Sequence, residues 1–318
     1  MVRCGLILLC AAVLLGHAAP ADAAFPGRNG RIAFVQHGDI YTVRPDGTRL
    51  RRVARNAGQP AFSRSGRTIA FAAWFDRDFG GFTFPIRRIE IVRTTGSGRT
   101  RLTRGDDDLP SWAPDGRRLV FRRYHPCLAY GSAEEDCPAR LERSRNHGIL
   151  IYRRGETRVL TRHAENSGAG PVWSPSGRLI AFTREGISVI RPDGSGLRRV
   201  TNTSGGTLDW SPDGRRIIFD DLPLTSRTFF ISSIRPDGRG LQRLTTNGSS
   251  PSVSPDGRWI VFQRAYRRCF RALWIMRSAG SRARVLRYPS GRPICGVEPD
   301  WQPAGNAALS KELPELIG

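Results

Sequence analysis

Residues 210–219 read Trp210-Ser211-Pro212-Asp213-Gly214-Arg215-Arg216-Ile217-Ile218-Phe219, and four related stretches occur elsewhere in the chain. These stretches begin at Phe62, Trp112, Trp173 and Val253, and their apolar ends reach Phe71, Phe121, Phe182 and Phe262. Self-similarity at a period of roughly 40 to 50 residues is typical of propellers and solenoids, in which a small unit buries its apolar face only by stacking on its neighbours. The repeat therefore determines which architectures need to be considered.

Each unit is predicted to contain four short strands, here called A, B, C and D. Asp-Gly or Ser-Gly between two apolar runs supplies the positive φ that a tight hairpin needs, so strand A precedes the turn and strand B follows it. A third run such as Ile187–Ile190 predicts strand C, and the turn Pro192-Asp193-Gly194 leads to strand D, which ends at Val200-Thr201. Four short strands with Gly-rich turns predict a propeller blade rather than a helical repeat.

The number of runs predicts how the ring closes. Runs of type B, C and D occur six times, whereas type A occurs five times internally and once more near the end. The first unit opens directly with the turn and B strand at 29–34, and residues 298–303 form a lone A strand. Pairing the last strand with the first unit leaves no open sheet edge. We therefore predict an all-β, six-bladed β-propeller closed by pairing of the C-terminal strand with the first blade.

The predicted propeller covers residues 24–303, between a signal peptide at 1–23 and a C-terminal tail at 304–318. Arg3 precedes the apolar run Cys4–Gly16, and Ala21-Asp22-Ala23 offers small residues at a cleavage site, which is typical of secretory signals. The alternative is a retained membrane anchor, but the run is short for a bilayer span. We therefore expect a secreted or periplasmic protein with no transmembrane span in the mature chain.

Removal of the signal peptide would leave four cysteines, Cys127, Cys137, Cys269 and Cys295. An even number is typical of an oxidising compartment. We expect the pairs Cys127–Cys137 and Cys269–Cys295, because the second pair would fix the joint where the ring closes. The alternative is a metal site that combines cysteine with His125 or His147. Since the Cys-x-x-Cys spacing of such sites is missing, no metal site is predicted.

The charge pattern bears on the partner. The formal net charge is +22, and Lys311 is the only lysine. Arginine binds carboxylate and phosphate groups through paired donors, so an acidic glycan, a cell-wall polymer or a phospholipid surface is a reasonable partner. The arginines are spread over every blade, and many occupy one repeat slot after the turn, as do Arg117, Arg178 and Arg215. We therefore expect no nucleic-acid partner, and a solvated structural slot is the alternative explanation for this repeat position.

The repeat also resembles a known family. The block 210–219, the turn Pro236-Asp237-Gly238 and the ending Arg243-Leu244-Thr245 resemble the WD-repeat-like propeller repeat of TolB and its relatives, from about Phe25 to Pro303. In TolB such a propeller binds a peptidoglycan-associated lipoprotein and is preceded by an α/β domain. Here the repeat begins directly after the predicted signal peptide. The resemblance therefore implies protein binding at a propeller face without that second domain.

In propellers of this kind strand A lines a central channel, and the D–A and B–C connections form the face where ligands usually bind. The candidate ligand-face residues at these positions are Gln59, Asp106, Asp107, Asp108, His163, Glu165, Asp209, Glu298 and Asp300. A ring of carboxylates on so basic a protein would attract a cation or a basic peptide. The alternative is that exposed loops carry acids and that Asp209 and Asp300 cap turns. Two insertions, Phe75–Pro85 and Arg122–His147, are predicted to overhang this face as a lid.

Catalytic patterns are weak in this sequence. No serine lies in the Gly-x-Ser-x-Gly frame of the hydrolases that carry similar propellers. No histidine pairs with a nucleophile at an interpretable spacing, so no catalytic residue is predicted. The sequence favours an exported, monomeric, non-catalytic binding module for a protein or cell-envelope ligand, with no cofactor. The alternative is a hydrolase or lactonase that uses a divalent cation such as calcium in the channel.

Overall fold

The computed structural model describes residues 25–79, 82–124, 148–161, 170–184, 186–203, 205–223, 226 and 228–304. These residues form 24 β-strands and no helix, so none of them belongs to a helix able to cross a membrane. The strands assemble into six antiparallel four-stranded sheets, which are the blades of a six-bladed propeller. The predicted all-β fold class is confirmed.

The strands of each blade are given from the channel outward, in the order A to D. Blade 1 contains β24 (Val297–Ala304), β1 (Arg28–Gln36), β2 (Asp39–Val43) and β3 (Arg51–Ala54). Blade 2 contains β4 (Ala57–Phe62), β5 (Thr68–Phe79), β6 (Phe82–Arg93) and β7 (Thr100–Arg101). Blade 3 contains β8 (Asp107–Trp112), β9 (Leu119–Arg123), β10 (Gly148–Arg153) and β11 (Glu156–Thr161).

The other three blades follow the same order. Blade 4 contains β12 (Val172–Trp173), β13 (Ile180–Thr183), β14 (Ile187–Ile190) and β15 (Arg198–Thr201). Blade 5 contains β16 (Gly205–Trp210), β17 (Ile217–Asp221), β18 (Phe230–Ile234) and β19 (Gln242–Thr245). Blade 6 contains β20 (Ser249–Val253), β21 (Trp259–Tyr266), β22 (Cys269–Arg277) and β23 (Arg284–Val285).

The repeated A–B turn forms for the reason that its sequence indicates. In blade 5, Gly214 has φ of +66°, which lies in the left-handed region that favours glycine. Its N–H donates to the carbonyl of Ser211, and Asp213 Oδ1 accepts from the N–H of Arg215. The N–H of Ser211 in turn donates to the carbonyl of Arg216, which closes the hairpin. The turn chemistry therefore joins strands A and B locally, before any tertiary contact is needed.

The apolar core lies between neighbouring blades rather than within one blade. Six clusters of buried apolar side chains each combine residues of two adjacent blades. One phenylalanine of each B strand is fully buried in these clusters. They are Phe34, Phe71, Phe121, Phe182, Phe219 and Phe262. A single blade would expose these rings, so the blades are stable only as a stacked ring.

The last strand closes the ring as predicted. Strand β24 pairs with β1 in antiparallel register, with Ile32 opposite Trp301 and Asn29 opposite Pro303. The Gln302 side chain extends the joint on both sides, because Oε1 accepts from the N–H of Arg31 and Nε2 donates to the carbonyl of Gly66 in blade 2. The closing strand is thereby held by backbone pairing and by side-chain hydrogen bonds.

The first predicted lid has regular structure. Strands β5 and β6 pair residue by residue as far as Phe79 opposite Phe82, so the insertion Phe75–Pro85 is a hairpin extension and not an irregular loop. At about 3.3 Å per residue, the four steps from Phe75 to Phe79 extend the hairpin by roughly 13 Å. In the second insertion, residues 125–147 lie outside the described part of the chain.

The structure contains the predicted disulfide between Cys269 and Cys295, with a Cα–Cα distance of 5.9 Å. It joins β22 to the segment just before β24, where the N–H of Leu273 also donates to the carbonyl of Ile294. The bond therefore ties blade 6 to the approach of the closing strand. Cys127 and Cys137, the predicted signal peptide and the tail beyond residue 304 lie outside the described residues, so their assignments stay predictions.

Candidate functional site

A cavity of about 510 Å³ occupies the centre of the ring. Because side chains alternate along a strand, the inner strands present residues to it at two levels. We call the outer level the mouth ring, which consists of Gln59, Leu109, Gly170, Thr207, Ser250 and Glu298. We call the deeper level the inner ring, which consists of Ala61, Ser111, Val172, Asp209, Ser252 and Asp300. Four predicted candidates, Gln59, Asp209, Glu298 and Asp300, therefore line one cavity.

Four mouth-ring residues have strained backbone. The φ angles are 53° at Gln59, 53° at Leu109, 51° at Ser250 and 52° at Glu298, values that are unfavourable for residues with a side chain. Each lies at a shift in the register between its inner strand and strand B. Such bulges re-aim side chains and occur often beside functional sites. Here the bulge turns the residue into the channel.

The strain is offset by a belt of hydrogen bonds between blades. Each strained residue donates its backbone N–H to a side chain of the preceding blade. The N–H of Glu298 donates to Gln263 Oε1, that of Gln59 to Glu298 Oε2 and that of Leu109 to Gln59 Oε1, at 2.8–3.0 Å. The N–H of Ser250 donates to Asp220 Oδ2 at 3.0 Å. Glu298 and Gln59 therefore have a structural role in addition to lining the mouth.

The inner ring carries a second belt. Asp209 Oδ2 accepts from the N–H of Val253 at 2.7 Å, and Asp300 Oδ2 accepts from the N–H of Phe62 at 2.6 Å. The hydroxyls of Ser111 and Ser252 accept in the same way from Trp173 and Trp301 of the next blade, both at 3.1 Å. Where the inner-ring residue is apolar, the indole N–H of the next blade donates to its carbonyl instead. These pairs are Trp112 with Ala61 and Trp210 with Val172.

The two inner-ring carboxyls are electrostatically coupled. Desolvation by burial raises the pKa of Asp209 to about 6 and the pKa of Asp300 to about 8, and the charge of Asp209 adds to the shift of Asp300. Ser252 lies between them, with its hydroxyl 3.4 Å from Asp300 Oδ1. Asp300 therefore keeps its proton more readily than Asp209 near neutral pH.

Glu298 is the acidic group of the mouth ring. Burial raises its pKa, the charge of Asp108 raises it further, and Arg87 opposes the shift. The exposed indole of Trp74 lies beside it, since a Cβ built on Gly58 would come within 3.3 Å of both Glu298 Oε2 and Trp74 Cζ2. Trp74 is 46% exposed and was not among the predicted site residues. An aromatic surface and a carboxylate therefore meet at one point of the mouth.

The aspartates 106–108 lie in an arginine-rich cluster beside the mouth, and Arg122 of this cluster also lines the cavity. Asp106 accepts from the N–H and from the guanidinium Nε of Arg87, at 2.9 and 3.4 Å. Asp107 binds Arg123 through both oxygens, at 2.6 and 2.9 Å. Asp108 binds Arg122 in the same way, at 2.9 and 2.8 Å, and it also accepts from Arg87 Nη1 at 2.8 Å. The ring of Tyr124 lies under the guanidinium groups of Arg87 and Arg122. Paired arginines therefore neutralise Asp107 and Asp108, and they do not add free carboxylates to the mouth.

A further acid, Asp220, was not predicted as a site residue. It follows Phe219 on β17 and accepts from the N–H groups of Gly206 and Thr207 and from the Thr207 hydroxyl, all at 2.7 Å. In the sequence, Asp220 can be recognised as an acid directly after the buried phenylalanine of strand B, at the position that Arg122 occupies in blade 3.

The candidates His163 and Glu165 lie outside the described residues. In the part of the chain that is described, no group of three His, Cys, Asp or Glu side chains is arranged to hold a metal ion.

Comparisons with known proteins agree with this architecture. No protein-family model matches the chain, and no curated protein matches it. TolB from Acinetobacter baumannii superposes with a TM-score of 0.64 at 19% identity, over 86% of this chain and 67% of that chain. This chain has a TolB-like six-bladed propeller fold.

A second solved structure shows the same architecture in a larger protein. Hydrazine synthase from Kuenenia stuttgartiensis superposes with a TM-score of 0.62 at 15% identity, over 90% of this chain and 49% of that chain. The TolB-like propeller described here thus spans two thirds of the first protein and about half of the second. At these identities the likeness concerns the fold alone.

Proposed function

We propose that this TolB-like propeller is an exported, non-catalytic binding module that takes its ligand into the central channel through the mouth ring. The ligand is an extended segment of a cell-envelope protein that presents a cationic group. The observation that carries this proposal is the cavity of about 510 Å³ with Glu298, Asp209 and Asp300 on its wall. Its volume lies within the range of roughly 300–1,000 Å³ that is usual for ligand sites.

Charge supports a cationic group. The described part of the chain shows no ion pair for Glu298, Asp209 or Asp300, whereas Asp107 and Asp108 are paired with arginines. The donors to the three channel carboxyls are backbone N–H groups and a hydroxyl. An arginine, a lysine or an amino terminus would gain a charge-assisted hydrogen bond there. On a protein of net charge +22, these carboxyls are a local field of opposite sign.

Export is supported by two observations. The sequence from Arg3 to Ala23 has the pattern of a secretory signal peptide. The disulfide between Cys269 and Cys295 is of the kind that persists in oxidising compartments. Both favour a location outside the cytoplasm, where a cell-envelope protein would be the available partner.

The proposal is tested by selecting random peptides on the immobilised, oxidised chain and measuring their affinity by calorimetry. We expect selected peptides to contain arginine or lysine at a fixed position. Glu298→Gln and Asp209→Asn keep an acceptor oxygen but remove the charge, so each is expected to weaken binding by about tenfold or more. Asp213→Asn, in the exposed turn of blade 5, is the matched control and is expected to leave the affinity unchanged.

Selected peptides without basic residues, or equal affinities for the wild type and Glu298→Gln, would contradict a cationic ligand in the channel. A second measurement tests whether the ligand binds at the face of the propeller that carries the mouth ring. Shortening the segment 125–147, which leaves Arg122 and Arg123 on β9 in place, is expected to reduce capture of solubilised envelope proteins by the chain. Capture of purified envelope polysaccharide instead of protein would show that the ligand class is wrong.

A further inference from the structure

The hairpin of blade 6 carries a concentrated basic and aromatic tip that the channel does not use. We call residues 264–271 the blade 6 tip. It contains four arginines and two aromatic residues: Arg264, Arg267, Arg268, Arg271, Tyr266 and Phe270. Phe270 is 86% exposed, the largest exposed fraction among the exposed large apolar side chains of the described residues. A single exposed apolar side chain is common on protein surfaces. Here the exposed phenyl ring lies within a group of four arginines, and this combination points to a docking surface.

The tip is rigidly held. Tyr266 pairs with Cys269 across a turn formed by Arg267 and Arg268, and the disulfide fixes Cys269 to the segment before β24. The N–H of Gly296 donates to the carbonyl of Arg271 at 3.1 Å. Binding through a surface that is already ordered costs little conformational entropy. Phe270 is therefore presented outward in advance of binding.

Within the described residues the charge of the tip has no acidic counterpart. Residues 264–271 include no acid, and in the described part of the chain none of the four arginines forms an ion pair. Arg264 lies 4.9 Å over the ring of Trp274, and Arg271 lies 5.3 Å from the ring of Phe270. Arg287, whose Nη2 donates to the hydroxyl of Tyr266 at 3.2 Å, adds a further positive charge. The partner must therefore be anionic.

We propose that the blade 6 tip docks on a membrane surface of anionic phospholipid. Arginine binds lipid phosphate through paired donors, and an exposed phenyl ring is stable at the boundary between headgroups and acyl chains. An acidic polysaccharide or a nucleic acid would satisfy the arginines, but neither offers an apolar phase in which Phe270 could be buried. The combination of four guanidinium groups with one exposed phenyl ring thus favours lipid.

Docking at this point would orient the propeller. Ser249, at the start of an inner strand, pairs with Gln263 on β21, so the tip extends from the same face as the mouth ring. The channel would then open toward the membrane. This inference goes beyond the proposed function, and the two fail separately, because peptide binding in the channel does not require any residue of the tip.

The experiment is co-sedimentation of the full oxidised chain with vesicles of phosphatidylcholine alone or mixed with phosphatidylglycerol. We expect binding only to the mixed vesicles. Each arginine near the surface contributes about a fivefold change, so Arg267→Gln with Arg268→Gln is expected to lower the partition coefficient roughly 25-fold. Phe270→Ser is expected to lower it about tenfold, a loss that persists at high salt because it is not electrostatic.

The matched control removes the same charge elsewhere. Arg215→Gln with Arg258→Gln alters two exposed arginines of the repeat slot, on the opposite face, and is expected to change binding by less than about threefold. Equal losses for the two double variants would overturn the proposal in favour of net charge. Absence of binding to mixed vesicles would also overturn it. Binding to polygalacturonate that depends on the arginines but is unchanged in Phe270→Ser would overturn it as well, because the partner would then be a glycan.

Circular dichroism and the thermal midpoint are measured for each variant, so that a loss of binding caused by misfolding is recognised. Arg267→Lys with Arg268→Lys keeps the charge and is expected to retain binding within about fivefold. A comparable loss in the lysine variant and the glutamine variant would show that the tip does not act through charge, and would overturn the proposal.

Discussion

The carboxyl of Asp300 in the last strand accepts a 2.6 Å hydrogen bond from the backbone N–H of Phe62, which lies 238 positions earlier in the chain. The closing strand therefore contacts blade 2 directly, in addition to completing blade 1. The hydroxyl of Ser252 in blade 6 reaches the other oxygen of the same carboxyl at 3.4 Å. One side chain thus connects three consecutive blades at the joint of the ring.

Asp300→Ala is expected to lower the free energy of unfolding by about 1–3 kcal/mol, because the buried N–H of Phe62 loses its acceptor. Asp300→Asn keeps an acceptor oxygen and is expected to cost less. Urea unfolding followed by tryptophan fluorescence measures both. Ser111→Ala, which removes the neutral acceptor of Trp173 at the same level of the ring, is the control for losing one such bond. An alanine variant as stable as the wild type would contradict this role of Asp300.

Stability is expected to fall as the pH rises from about 5 to about 8. The pKa values of Asp209, about 6, and Asp300, about 8, are raised above the ordinary value of 3.8, mainly by burial. In this interval the folded chain holds protons that the unfolded chain has released, so linkage lowers the free energy of unfolding with increasing pH. Asp300→Asn is expected to flatten the dependence. Urea unfolding at several pH values measures the slope, and an unchanged slope in this variant would contradict the assignment.

Gly66 and Gly214 occupy the same position of the repeated A–B turn in blades 2 and 5, and they provide a matched test of ring closure. Gly66 and Gly214 have φ of +67° and +66°, but a Cβ at Gly66 would lie 2.1 Å from the carbonyl oxygen of Pro303, whereas at Gly214 the nearest atom is 3.7 Å away. Gly214→Ala is expected to cost about 1–2 kcal/mol from backbone strain alone. Gly66→Ala is expected to cost about 1–3 kcal/mol more, because the closing strand must shift. Equal thermal midpoints for the two variants would show that residues 302–304 do not pack on blade 2.

The disulfide is expected to stabilise the folded chain by about 3.5 kcal/mol, from the chain-entropy relation for a loop of its size. The sequence separation of Cys269 and Cys295 is 26 residues. Cys269→Ala with Cys295→Ala is therefore expected to lower the thermal midpoint. Dithiothreitol should lower the midpoint of the wild type by more than that of the double variant, in which only the predicted Cys127–Cys137 bond is left to be reduced. A reductant effect of equal size in both proteins would point to a different bond.

Gly58→Ala is expected to narrow the mouth without unfolding the protein. The new methyl group would lie 3.3 Å from Glu298 Oε2 and from Trp74 Cζ2, so one of these side chains must move. We expect weaker binding of the selected peptides and a stability change below about 1 kcal/mol. Gly27→Ala, whose nearest neighbour is the Ala304 carbonyl oxygen at 3.6 Å, is the control. Full peptide affinity in Gly58→Ala would show that the ligand does not pass between Trp74 and Glu298.

The fold could be predicted in detail because its signals are local. The turn at Asp213 and Gly214 depends on one φ angle and on hydrogen bonds within six residues. The hairpin extension from Phe75 to Pro85 was predicted only as an insertion. Its strand character results from pairing across the hairpin, which no single residue indicates. The alternation of short strands and Gly-rich turns was enough to predict the blades and their closure.

For the candidate site, the sequence predicted only which residues lie at the channel and not which of their charges are paired. Asp209, Glu298 and Asp300 were expected at the channel because they lie on inner strands, and the structure places them on its wall. Asp107 and Asp108 were expected beside them as open carboxylates. The structure pairs them with Arg123 and Arg122, 16 and 14 positions later, because the register of β8 and β9 brings these side chains together. Trp74 and the blade 6 tip became functional candidates only because the structure shows that their aromatic side chains are exposed.

The amino-acid sequence by itself determined the blade, the number of blades and the pairing of the two chain ends, since each follows from hydrogen bonds and apolar burial repeated over short distances. Only the tertiary structure decided which charges remain unpaired, which pKa values shift and which apolar rings stay exposed. Electrostatic energy and desolvation depend on distances in space between residues far apart in the chain. Asp209 and Asp300 interact because a closed ring brings them to one channel.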